Sequence, residues 1–162
     1  MTPTPPAHCV RIVSGGQTGV DRAALDGALE SGLAIGGWCP RGRRAEDGAI
    51  PDRYPLLETP NEAYPERTEW NVRDSDVTLI VTRGDPDGGT ALTLRLAKFM
   101  GKPVRVIDLE SPPFAAMVRD WLQELQPAVI NVAGPRESSQ PGIYLAAKAY
   151  LIQLFASNDE TS

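Results

Sequence analysis

Three stretches of this chain combine glycine with hydrogen-bonding side chains in an order that suits an anion: Ser14-Gly15-Gly16-Gln17-Thr18-Gly19, Gly84-Asp85-Pro86-Asp87-Gly88-Gly89-Thr90 and Gly134-Pro135-Arg136-Glu137-Ser138. Each follows a short apolar run, so each reads as a turn from a strand into a helix. Helix N-termini carry unpaired N–H groups and the positive end of the macrodipole, and glycine lets a ligand approach the backbone. The expected chemistry is binding of a phosphate-bearing small molecule, with Gly15, Gly16, Gln17, Thr18, Gly19, Gly88, Gly89 and Thr90 around one anion. The first turn is not a P-loop, because no lysine follows its last glycine, and it lacks the dinucleotide-fingerprint spacing.

Charged and aromatic residues near the turns extend the candidate site. Arg41 and Arg43 follow a strand end, and fork-shaped guanidinium groups suit phosphate; Arg44 reads as solvated surface. Trp38 suits either the core or stacking on a flat heterocycle. Arg67 and Asn71, with Thr68, have the i, i+4 relation that presents one polar helix face to a cleft. Arg136 and Glu137 suit a ligand contact or a pair with each other. Asp21 sits at a helix start, where a carboxylate is stabilised with no ligand present; in a functional role it would contact a hydroxyl, an amine or a metal. Asp85 and Asp87 read as turn formers.

The elements that must hold these residues alternate. Cys9 to Val13 reads as a strand, Val20 to Glu30 as a helix stopped by Gly32, and Leu33 to Trp38 as a second buried strand. Cys39 to Pro60 shows neither period and reads as a long loop, often a functional feature. A helix over Glu62 to Asp74 begins near Pro65, and Val77 to Val81 is the third strand. A helix over Ala91 to Met100 stops at Gly101, and Val104 to Leu109 is the fourth strand. Pro112 and Pro113 open a helix through Leu125, Ala128 to Val132 is the fifth strand, and Tyr144 to Phe155 closes the chain as a helix. Apolar strands separated by helices predict a single α/β, Rossmann-like doubly wound domain with a mainly parallel sheet of about five strands, whose C-terminal edge gathers all three turns.

Composition agrees with a globular protein: 162 residues, 41% hydrophobic and 23% charged. The expected organisation is an N-terminal tail over residues 1–8, one ligand-binding domain over 9–156 and a C-terminal tail over 157–162. Met1 to Ala7 has no basic or apolar signal region, and Leu33 to Trp38 is too short to span a bilayer, so a cytoplasmic location without membrane contact is expected. A net charge of −5 opposes nonspecific binding to nucleic acid. The two cysteines, Cys9 and Cys39, fall near opposite sheet edges, roughly 15 Å apart, and are expected not to bridge. His8 alone supports neither a histidine triad nor a histidine-rich zinc site, and no metal ligands are assigned.

Taken together, Ser14-Gly15-Gly16-Gln17-Thr18-Gly19-Val20-Asp21, Gly37-Trp38-Cys39-Pro40-Arg41-Gly42-Arg43, Glu46-Asp47-Gly48-Ala49-Ile50-Pro51, Arg67-Thr68-Glu69-Trp70-Asn71-Val72, Gly88-Gly89-Thr90 and Asn131 to Ser138 resemble the molybdenum cofactor carrier proteins. The resemblance implies a YpsA-related member of the lysine-decarboxylase-like, SLOG Rossmann-like superfamily. It implies molybdenum cofactor, or another phosphate-bearing anion, as cargo, molybdoenzymes as recipients, and a homo-oligomer, dimer or tetramer. Small apolar residues such as Ala97, Ala146 and Ala147 are expected to pack across its symmetry. The wider group includes nucleotide phosphoribohydrolases with the loop Pro-Gly-Gly-x-Gly-Thr-x-x-Glu. Here Thr93 stands where that glutamate is expected, and a hydroxyl of ordinary pKa cannot do a carboxylate's acid–base work. The reading is therefore a carrier with no catalytic residue; the alternatives are a nucleotide-processing enzyme using Asp21 or Glu137, and a nucleotide-sensing domain.

Overall fold

The computed structural model of the chain describes residues 10–156. In chain order it contains β1 (Arg11–Val13), α1 (Val20–Glu30), β2 (Ala34–Gly36), β3 (Trp38–Cys39), β4 (Arg44–Ala45), β5 (Gly48–Ala49) and β6 (Leu57–Glu58). There follow α2 (Tyr64–Arg73), β7 (Val77–Thr82), α3 (Gly88–Phe99), β8 (Val104–Asp108), α4 (Ala115–Leu125), β9 (Val129–Ala133) and α5 (Ile143–Phe155). Five strands form one sheet in the order β2-β1-β9-β7-β8. Every pairing in it is parallel, with Ile12 between Ile35 and Ile130, and Leu79 between Val132 and Arg105.

Strand alternation divides the buried side chains between two faces. Ile12, Leu79, Val81, Ile130 and Val132 join Val20, Ala24, Val118, Ile143, Ala147 and Leu151 in the main core, beneath α1, α4 and α5. On β7 and β9 the opposite face carries Thr78 and Asn131, both buried, with Asn131 Nδ2 donating to Thr78 Oγ1 at 3.4 Å. Helices α2 and α3 pack on each other. A polar strip on a buried sheet face suits a wall that meets a ligand rather than one that only fills space.

Several elements depart from the sequence reading. The second strand is a half-exposed edge strand of three residues, not a buried run to Trp38. It ends because Gly37 has φ +128, and a Cβ there would lie 2.2 Å from the Ser14 carbonyl oxygen. The chain then leaves the sheet, and β3 pairs in parallel with β6. The long loop is correspondingly not structureless: it holds β3, the β4–β5 hairpin and β6, closed over a second small core of Leu25, Cys39, Ile50, Tyr54 and Leu56. Helix α3 begins at Gly88, so Gly88, Gly89 and Thr90 form its first turn. Ala97 and Ala147 are fully buried and cannot face a second copy. Cys39 is a buried free thiol; Cys9, His8 and both expected tails lie outside the described residues. Among those residues no helix is long and apolar enough to cross a membrane.

Candidate ligand-binding cleft

A cavity of about 700 Å³ opens beyond the C-terminal ends of β1, β7 and β9, lined by parts of all three turns and by the start of α2. This is the crevice where open α/β sheets bind ligands, and its volume suits a small molecule. The three turns contribute to it unequally.

The first turn spends backbone donors inside the protein. Gln17 N–H donates to Asp21 Oδ2 at 3.2 Å, Thr18 N–H to Gln17 Oε1 at 3.1 Å, and Val20 N–H to the Pro135 carbonyl at 3.2 Å. Gly15 and Gln17 line the cavity, whereas Gly16, Thr18 and Gly19 are directed elsewhere. Gly16, at φ +77, lies against the small core, where a Cβ would meet Leu56 Cδ1 at 2.6 Å and Ile50 Cδ1 at 2.9 Å. Gly19 lies against the third turn, 2.4 Å from the Pro135 oxygen by the same measure. Thr18 Oγ1 donates to Glu46 and accepts from Glu137 N–H at 3.1 Å. Glu46 also accepts from Ser138; burial pushes its pKa up, but these hydrogen bonds outweigh it and leave the pKa low.

The third turn is also capped from within. Glu137 accepts from Gly142 N–H at 2.6 Å and Tyr144 N–H at 2.9 Å, which closes the N-terminus of α5. It pairs neither with Arg136 nor with anything in the cleft. The second turn differs: Asp87 at the N-cap makes no side-chain hydrogen bond to α3. Among the described residues no other side chain accepts from the N–H groups of Gly88, Gly89 and Thr90 either, and all three residues line the cavity. Thr93 lines the same wall and returns its hydroxyl to the Gly89 carbonyl at 3.0 Å. One open helix end, rather than three converging ends, faces the cleft.

Cations complete that end. Arg67 is 8% exposed, donates through Nη1 to the Gly15 carbonyl at 2.9 Å and lies 3.9 Å from Asp21 Oδ2. A Cβ at Gly15 would sit 2.3 Å from Arg67 Nη1, so a side chain there would displace the guanidinium from this position. Tyr64 stands at the cleft mouth with the guanidinium carbons of Arg67, Arg136 and Arg44 at 5.1, 5.3 and 5.3 Å from its ring centroid. Arg136 has no carboxylate within ion-pair distance among the described residues, and Arg95 adds a further cation to the wall. Tyr64 and Arg95 were not singled out in the sequence. Tyr64 was findable, since it precedes Arg67 and Thr68 by one helical turn.

Four more predicted ligand residues are engaged elsewhere, three of them in the scaffold. Arg43 gives its guanidinium to the carbonyls of Ile50, Pro51, Tyr54 and Leu56 and so holds the long loop closed. Arg41 lies in a separate shallow site beside Asn61, Glu62 and Glu66. Trp38 packs edge-on against Trp70 at 4.8 Å and donates to Asp74 at 2.8 Å, away from the cleft. Asn71 touches the cavity, but its amide pairs with both backbone groups of Trp38, at 2.8 and 2.9 Å.

Asp21 is the one carboxylate deep in the cleft, 6% exposed. Burial raises its pKa from 3.8 to about 6, against the pull of Arg67, the Gln17 N–H and Arg22. Among the described residues no group of three or more His, Cys, Asp or Glu side chains is placed to hold a metal ion.

A five-stranded parallel sheet covered by helices, with a crevice at its C-terminal edge, defines a Rossmann-like α/β protein. The chain belongs to the circularly permutated YpsA SLOG family, whose model matches residues 12–155. It is also similar to a solved crystal structure, that of "Putative molybdenum carrier protein" from Syntrophus aciditrophicus SB. The two are 44% identical with a TM-score of 0.87, over 94% of this chain and 97% of that one. No curated protein matches the chain.

Proposed function

We propose that the cleft binds molybdenum cofactor, or a related phosphate-bearing pterin, and carries it unchanged. The observation that supports this reading is the uncapped first turn of α3 in one cavity with Arg67 and Arg136. Those N–H groups and guanidiniums suit the phosphate, while Tyr64 and the polar sheet face suit the ring system. The name of the similar Syntrophus protein points the same way. Carriage needs no chemistry, and Thr93, in the wall where a hydrolase would place its glutamate, has its hydroxyl committed to Gly89. Molybdoenzymes are the proposed recipients and a homo-oligomer the proposed state.

The test is the decay rate of free cofactor with and without protein, run beside release of free base from AMP. Slower decay without base release is expected. A second reading, a nucleotide-processing enzyme, draws on Asp21, whose pKa of about 6 suits a general acid or base near neutral pH. Unchanged cofactor decay with base release that disappears in Asp21→Asn would install that reading.

A further inference from the structure

The amide of Gln17 is held in one orientation. Its Oε1 accepts from two backbone N–H groups, Thr18 at 3.1 Å and Glu46 at 2.8 Å, and backbone N–H groups only donate. Nε2 must therefore point the other way. It is the one buried side-chain nitrogen or oxygen among the described residues that has no hydrogen-bond partner, in a residue only 4% exposed that lines the cleft. Native proteins rarely leave a buried donor unpaired, because its desolvation goes uncompensated. The scaffold uses only the oxygen of this side chain, and a glutamate would supply that acceptor with added charge beside a helix N-terminus. The amide nitrogen is surplus to the fold. Asp21 lines the same cleft, and its Oδ2 accepts the backbone N–H of Gln17 at 3.2 Å, which ties the two residues together in the first turn.

We propose that Gln17 and Asp21 form a subsite at the cleft floor that reads the polar edge of a flat heterocycle: Gln17 Nε2 donates to a ring carbonyl, and the Asp21 carboxylate accepts from the adjacent ring N–H and amino group. This rests on the reading of the cleft as a site for a ring-bearing phosphate ligand. An acceptor beside two donors is the 2-amino-4-oxo edge of a pterin, and guanine carries the same edge. The phosphate end of such a ligand would lie toward the first turn of α3 and Arg136. A site built to pair a particular hydrogen-bonding group rejects an isostere that reverses it, because two donors or two acceptors are then forced together in a water-poor place.

The experiment uses the intrinsic fluorescence of pteridines to titrate the full chain with pterin, with lumazine (2,4-dioxo) and with 2,4-diaminopteridine, and calorimetry to titrate it with guanosine monophosphate. Pterin is expected to bind at least about tenfold more tightly than either analogue, since lumazine opposes Asp21 and the diamine opposes Gln17. In Gln17→Glu, which keeps the acceptor for Thr18 and Glu46, the preference for pterin over the diamine should vanish or invert. Equal binding of all three pteridines, or an unaltered preference in Gln17→Glu, would overturn the subsite and leave the carrier reading standing. Guanosine monophosphate bound by the unaltered chain and lost in Gln17→Glu, with pterin not bound, would keep the subsite and overturn the carrier reading. Binding of none of the four would remove both. The analogue series on the unaltered chain decides the matter even where a variant fails to fold.

Discussion

Removing the charge of Asp21 should stabilise the protein, by an amount that grows as pH rises from the unfolded pKa of 3.8 through the native pKa of about 6. Burial lifts that pKa from 3.8 to about 6. Native Asp21 holds its proton to higher pH than the unfolded chain does, so stability falls as pH rises between those limits. The cost is absent below 3.8 and complete above about 6. A gap of that size is worth about 3 kcal/mol, of which roughly two-thirds develops between about pH 4.5 and pH 7.5. Asp21→Asn keeps an oxygen for the Gln17 N–H and carries no charge. Urea denaturation followed by tryptophan fluorescence should find the variant about 2–3 kcal/mol more stable than the parent at pH 7.5, and only about 1 kcal/mol more stable at pH 4.5. Other titrating groups cancel in the difference. A difference that does not change with pH, or a variant less stable at pH 7.5, would refute the reasoning. A carboxylate kept where it weakens the fold is the pattern of a residue retained for binding or chemistry.

Gly16→Val and Gly89→Val should separate in thermal melts: the first forces a side chain into Leu56 and Ile50 at positive φ and should cost about 3 kcal/mol or more, while the second meets open space. Ligand binding should then fall in Gly89→Val with the fold intact, and equal melting of the two would contradict the placement. Glu137→Gln should lose about 1 kcal/mol of stability by weakening the α5 cap and leave pyrophosphate affinity unchanged in calorimetry; lost affinity would put Glu137 back at the ligand. Arg43→Ala should speed proteolysis between residues 50 and 56, because four carbonyls lose their donor, without weakening pyrophosphate binding. Sedimentation at micromolar concentration should give a multiple of the 17.5 kDa chain mass, and a monomer would remove the proposed oligomer.

The first and last helices were legible to within a residue, since Val20–Glu30 and Ile143–Phe155 repeat their apolar positions over three turns or more, whereas α2, α3 and α4 were placed with starts two or three residues off. The five sheet strands were legible as apolar runs bounded by glycine and proline. The loop strands were not: two-residue pairings such as Arg44–Ala45 with Gly48–Ala49 are too short to show a period. At the site, residue type pointed to anion binding, but direction was hidden. Whether Glu137 meets a ligand or caps α5 depends on where residues 142 and 144 return. Arg43 looks the same in sequence whether its fork meets a phosphate or four carbonyls brought round by a closed loop. The orphaned nitrogen of Gln17 exists only because Glu46, 29 residues away, takes the oxygen.

The middle of the sheet is the last strand to be made. Strand β1 pairs only with β2 and β9, and β7 only with β8 and β9, so before residues 129–133 emerge the growing chain holds two separate strand pairs. The cleft spans the seam that β9 closes, with the first turn on one side and α3 on the other. A nascent chain on the ribosome, or one cut short before residue 129, thus cannot assemble a receptacle. The cleft belongs to the finished sheet, and premature termination leaves fragments with exposed strand edges, open to aggregation and degradation.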